Sequence, residues 1–163
     1  MKKITILTVL ILITVISCKK YPDGPLISFR SPLSRLLGKW EVTNVTINGD
    51  EATASYMDSC GCKFSFHSEK HDPKYFILFD CTEGYSHAGS FHFESKEFIE
   101  MYTCGKCNID SCIYDTVQIF GPLKDKVTSI WNVRKLTFKK LWIENNYNGN
   151  NYIIRMEKYE KDN

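Results

Sequence analysis

From Trp40 to the C-terminus the sequence keeps a period of two and is broken by turn residues roughly every 8–15 positions. It never settles into the longer period of an extended helix. Trp40 and Val42 alternate, and Val45 and Ile47 resume in the opposite phase, as a β-bulge produces, before an Asn48-Gly49 turn. Phe64 and Phe66 lead to His71-Asp72-Pro73, and residues 75–79 return as the second arm of a hairpin. Phe91 and Phe93, a Lys96-Glu97 turn, then Ile99 and Met101 repeat the device. Residues 113–120, Gly121-Pro122 and residues 127–138 read as two more strands. Residues 141–147 and 152–159 flank Asn148-Gly149, the strongest short hairpin signal in the chain. Successive hairpins with one apolar face predict an all-β, antiparallel up-and-down barrel of eight or nine strands, because closure removes exposed edges. Alternation places Trp40, Phe64, Phe66, Phe91, Phe93, Trp131, Phe138 and Ile154 on the inner face, as core or as the walls of a ligand pocket.

A chain of 163 residues suits one such domain. Ten Phe, nine Tyr and three Trp, all beyond residue 17, exclude a disordered chain. Without residues 1–17, basic and acidic side chains balance at 19 each, which removes the usual electrostatic reason to expect nucleic acid.

Those first seventeen residues have their own logic. Lys2 and Lys3 precede the apolar run 4–16, which falls short of the about 20 residues that a membrane-spanning helix needs and has the form of a secretory signal. Val15-Ile16-Ser17-Cys18 resembles the lipobox of bacterial lipoproteins, in which the Cys thiol is acylated and the chain is cut just before it. The resemblance implies a signal peptide at 1–17, a lipidated Cys18 with a tether over 18–30, and a barrel domain over 31–163. The partner is then a lipid membrane of the cell envelope, compatible with the outer membrane, in either leaflet. Plain secretion with a free or paired Cys18 is the alternative. Tyr21-Pro22-Asp23-Gly24-Pro25 is turn chemistry. Ser31-Pro32 offers an N-cap with proline at the first helical position, Leu33, Leu36 and Leu37 share a face, and Gly38 can end the turn. That short helix can plug one barrel end over Trp40.

A short helix followed by Gly38-Lys39-Trp40 opening the first strand resembles the lipocalins. Together with Ser28, Arg30-Ser31, Arg35-Leu36, Trp131-Asn132-Val133 and Leu141-Trp142-Ile143, the chain is similar to lipocalin-like lipoproteins of the Bacteroidota-type envelope. The resemblance implies a basic side chain over the tryptophan. Arg155 is the nearest candidate, although its parity beside Ile154 and Met156 points it outward.

No catalytic constellation is present: the nine glycines form neither a dinucleotide fingerprint nor a phosphate loop, and there is no Gly-x-Ser-x-Gly elbow. His67 and His71 lack metalloprotease spacing, and His92, between Phe91 and Phe93, faces solvent. No cofactor is implied. Cys60, Cys62, Cys81, Cys104, Cys107 and Cys112 fall in the first, third and fifth connections, so strand parity gathers them at the end opposite Trp40, around the open mouth. Three disulfides are the expectation in an oxidising envelope, with Cys62–Cys81 favoured at the base of a hairpin. A zinc site drawing on the Cys-x-Cys and Cys-Gly-Lys-Cys pairs and His87 is the alternative. Two functions are open. One is a membrane-anchored barrel that takes up a small hydrophobic ligand; the other is a filled barrel that binds or inhibits another envelope protein.

Overall fold

The computed structural model describes residues 21–23, 30–59, 61, 63–68, 75–80, 86–94, 97–107, 112–113, 118–124 and 127–159. Helix α1 (Pro32–Leu36) leads into β1 (Gly38–Ile47) and β2 (Asp50–Glu51), and helix α2 (Thr53–Ser59) follows. The next strands are β3 (Lys63–Ser68), β4 (Tyr75–Asp80), β5 (Ser86–Glu94) and β6 (Phe98–Cys107). The short β7 (Cys112–Ile113), β8 (Gln118–Phe120) and β9 (Leu123–Lys124) precede β10 (Thr128–Leu136), β11 (Lys140–Tyr147) and β12 (Asn150–Lys158).

Eight strands form a closed antiparallel ring in the order β1, β3, β4, β5, β6, β10, β11, β12. Trp131 opposite Ile99 joins β10 to β6, and Val45 opposite Ile154 returns the last strand to the first. This is the all-β, lipocalin-like up-and-down barrel that the alternation predicts. The phase change in β1 is a bulge between Val42 and Asn44, so Trp40, Val42 and Val45 are all buried. The two Asn-Gly turns take positive φ at both central residues, 53° and 90° at Asn48-Gly49 and 50° and 77° at Asn148-Gly149. That conformation matches the twist of a two-residue hairpin. The turns lie side by side, with the Asn48 side-chain amide donating to Asn150 Oδ1 and the Asn151 amide donating to Asn48 Oδ1, both at 2.8 Å.

The segment 113–120 departs from expectation. It does not form one wall strand: β7 pairs beside the end of β6, while β8 and β9 make a separate two-stranded ribbon. Gly121 (φ 50°) turns that ribbon at a point where a Cβ would stand 2.6 Å from the Tyr152 ring, so a tight turn replaces a continuous strand. Phe138 is a second correction. Another bulge, between Val133 and Lys135, shifts β10, and the strand stops at Leu136. The Thr137 hydroxyl then accepts from the Lys139 and Lys140 amides, turning the chain and leaving Phe138 44% exposed on the rim.

Candidate functional site

The barrel interior is built from the alternate residues of its walls. Trp40, Phe64, Phe66, Phe91, Trp131 and Ile154 are buried, as alternation requires, and Phe93 is half-buried against the same core. Neighbouring rings meet across β3, β4 and β5: Phe64 to Phe79 at 5.0 Å, Phe66 to Phe91 at 5.1 Å and Tyr75 to Phe91 at 5.3 Å. These are packing distances for aromatic side chains. On the opposite wall Val133, Leu141, Ile143, Ile154 and Met156 are also buried. The Trp131 indole N–H is satisfied internally by Ser129 Oγ at 3.0 Å.

The α1 end is shut by the residues that the sequence singles out. Ser31 caps α1 by accepting from the Ser34 amide, and Pro32 occupies its start. Trp40 Nε1 donates to the Leu36 carbonyl at 2.7 Å, and Leu36 is fully buried with Leu33 and Leu37 packed against the core. Arg35, also buried, donates to the Leu136 carbonyl and lies over the Tyr21 ring. Tyr21 belongs to this core rather than to a loose tether. Burial pushes its phenol up to about 12, against the opposing field of Arg35. The basic residue over the tryptophan is Lys158, with Nζ 5.0 Å from the Trp40 ring and donating to the Arg35 carbonyl at 3.1 Å. Gly38 (φ 122°) makes room for it, since a Cβ there would stand 2.9 Å from Lys158 Cε. Arg155 turns outward, as its parity predicts, to Asn44 and the Trp142 ring.

The far end, read from the sequence as an open mouth, carries a cover. Tyr56 from α2 meets Phe120 edge-on at 5.0 Å, and Phe120 meets Tyr152 at 5.9 Å. Tyr56 and Leu123 are buried beneath the surface. Helix α2 is held by the Val45 amide donating to Thr53 Oγ1 and by the Gly61 amide donating to the Tyr56 carbonyl. Sequence reasoning missed this cover. Gly61, at φ 50° just after the helix, was the signal available.

Two clefts open at the wall. One, about 420 Å³, opens where β10 and β11 part above the Asn132–Glu144 pair and is lined by Pro122, Val127, Ile130, Asn145 and Tyr147 among others. Asn145 bridges it by donating to the Ile130 carbonyl at 2.6 Å. Ile130 is 56% exposed beside it, with Val127 and Tyr102 also exposed. The other cleft, about 470 Å³, includes Pro22, Glu97, Arg134 and Glu144. There Arg134 bridges Glu144 at 3.0 Å and Asp23 at 3.3 Å. Burial disfavours the Glu144 carboxylate, but hydrogen bonds from Asn151 and Arg134 and the Arg134 charge outweigh it and hold the carboxyl below its ordinary value.

Among the described residues no group of His, Cys, Asp and Glu converges as a metal site, and no helix is long and apolar enough to cross a membrane. His92 is exposed, and His67 stacks on Phe76 at 5.1 Å. Cys18, Cys60, Cys62, Cys81 and His71 lie outside the described residues. The backbones of Cys104 and Cys107 lie on β6, and Cys107 is the register partner of Cys112 on β7. No protein-family model matches the chain, and no curated protein matches it.

Proposed function

We propose that this chain is a membrane-anchored lipoprotein of the cell envelope whose barrel is a filled scaffold, and that it works by binding another envelope protein through its outer wall. The supporting observation is the lining of the barrel: aromatic rings pack against one another along β3, β4 and β5, the α1 end is plugged and the far end is covered. The cleft beside Ile130 combines the apolar side chains Pro122, Val127 and Ile130 with three side-chain amides, Asn132, Asn145 and Asn146. That mixture of apolar and amide side chains suits a protein surface. The anchor rests on the basic start, the short apolar run and Ser17-Cys18.

A photo-crosslinking side chain at Ile130, in the full chain expressed in envelopes of its own host, tests the reading. The expected result is one discrete protein adduct at Ile130 that disappears when Val127 and Tyr102 are replaced by Glu. Native mass spectrometry of the same purified chain is the second arm. A retained small apolar molecule would overturn the filled-scaffold reading in favour of uptake into the barrel.

A further inference from the structure

We infer that the α1 end of the barrel lies against the membrane and contacts anionic lipid headgroups directly, with Phe138 and Tyr159 at the interface and the far end facing away. This rests on the lipoprotein reading above and adds an orientation to it.

Three observations carry the inference. The first is how close the anchor must be. Tyr21 is buried at the α1 end, and the Asp23 amide donates to the Arg134 carbonyl at 2.9 Å, so the chain is fixed to the barrel at Tyr21. Three residue steps separate Tyr21 from Cys18, a reach of at most about 10–11 Å. An acylated Cys18 therefore holds this end at headgroup depth and leaves the domain no long leash.

The second observation is the rim. Among the described residues, the large apolar side chains exposed at this end, Phe138 and Tyr159, are both aromatic and both carry cations on their faces. Arg30 and Lys158 lie 4.7 Å and 4.9 Å from the Phe138 ring, and Lys63 lies 4.5 Å from the Tyr159 ring. An exposed ring with a cation on its face is the combination that partitions to a headgroup layer, where the ring is half in hydrocarbon and the cation meets phosphate.

The third observation is charge polarity. Lys39 and Lys139 are exposed on the same rim, and Lys140 joins them although it pairs with Glu157. The rim carboxylates Asp23 and Glu41 are engaged by Arg134 and Lys63, and Glu97 is exposed nearby. Towards the far end the described exposed carboxylates include Asp50, Glu51 and Asp58. Among the described residues the exposed lysines gather at the first end, and an anionic surface attracts them.

The test uses the full acylated chain reconstituted into vesicles, with the photo-crosslinking side chain at Phe138 or Tyr159 and, for comparison, at Ile130. In mixed phosphatidylcholine–phosphatidylglycerol vesicles, lipid adducts are expected at 138 and 159 and not at 130. Lys39→Glu with Lys139→Glu should lower the 138 adduct by about tenfold or more, since each cation near an anionic surface is worth about fivefold. In pure phosphatidylcholine the same pair should have little effect. Equal adducts at both ends, or a 138 adduct indifferent to charge reversal, would overturn the orientation while leaving the anchor intact. A mass spectrum that shows no acyl group on Cys18 would instead remove the lipoprotein reading, and the orientation with it.

Discussion

At the α1 end, closure starts from a local unit, in which Ser31 caps α1 and Leu36 accepts from Trp40 four positions away, and Lys158 on the strand paired with β1 completes it. At the far end, closure depends on Tyr56 from α2 finding Phe120 from a ribbon far along the chain, with Tyr152 beneath both. The first arrangement has a local nucleus, satisfies its buried indole, and is tied to barrel register. The second is assembled from connections, with ring contacts added to the hydrogen bonds that hold α2. The two ends should therefore fail differently, the first taking the barrel with it and the second opening as a lid.

The largest expected effect is at Trp40. Replacing it with Ala removes a fully buried indole and its hydrogen bond, and should cost about 3–5 kcal/mol in equilibrium denaturation. A loss below about 1 kcal/mol would mean that the α1 end is not an anchor at all. Phe120→Ala should cost about 3 kcal/mol, the low end of the range for buried aromatics, because that ring sits nearer the surface. Hydrogen exchange separates the two variants. Phe120→Ala should speed exchange in α2 while β1 and β12 near Trp40 stay protected; uniform loss of protection would erase the distinction between the ends.

That contrast also governs what could be read from the sequence. The wall strands, the β1 bulge, both Asn-Gly turns and the inward aromatics follow from period-two alternation and turn chemistry, which act over a few residues. Phe138 was misplaced because alternation was carried through a bulge and past the strand end, where the Thr137 hydroxyl already turns the chain. The far cover was invisible because nothing local pairs Tyr56 with Phe120, and residues 113–120 alternate like a wall strand although β7 joins β6 and β8 pairs with β9. Tyr21 was read as tether because Pro22, Asp23 and Gly24 dominate its neighbourhood, yet burial of its ring is decided by Arg35 and the core. Parity points Arg155 away from the tryptophan, but nothing local shows that a lysine stem from Lys158 fits over Gly38.

Lys158→Met sharpens the α1 end by an intermediate amount. The thioether keeps most of the apolar stem but loses the contacts with the Trp40 and Phe138 rings and the hydrogen bond to the Arg35 carbonyl. A cost of about 1–2 kcal/mol is expected. Denaturation midpoints at low and high salt separate these ring and carbonyl contacts from charge pairing. A loss that vanishes at high salt would point to an ion pair as the true source.

The smallest expected effect concerns the ion pairs that dock the N-terminal segment beside this end. Glu144 has a carboxyl held below its ordinary value of 4.5 by Asn151 and Arg134 against the opposing cost of burial. A carboxyl with a depressed folded-state value adds stability that is fully present above the unfolded value and is lost as pH falls through the folded one. Glu144→Gln keeps the side-chain shape and an oxygen for Asn151 but loses the charge facing Arg134. Arg134 also holds Asp23, so the change reaches the docked Tyr21–Asp23 segment. At neutral pH the variant should be less stable by about 0.5–1 kcal/mol, as for a partly exposed pair. The gap should narrow below about pH 4.5 and disappear at lower pH, where the native carboxyl is itself protonated. Denaturation midpoints of the two proteins measured from pH 7 down to pH 3 would show this convergence. Parallel curves would assign the loss to shape or hydrogen bonding, and the docking of Tyr21 would then owe nothing to charge.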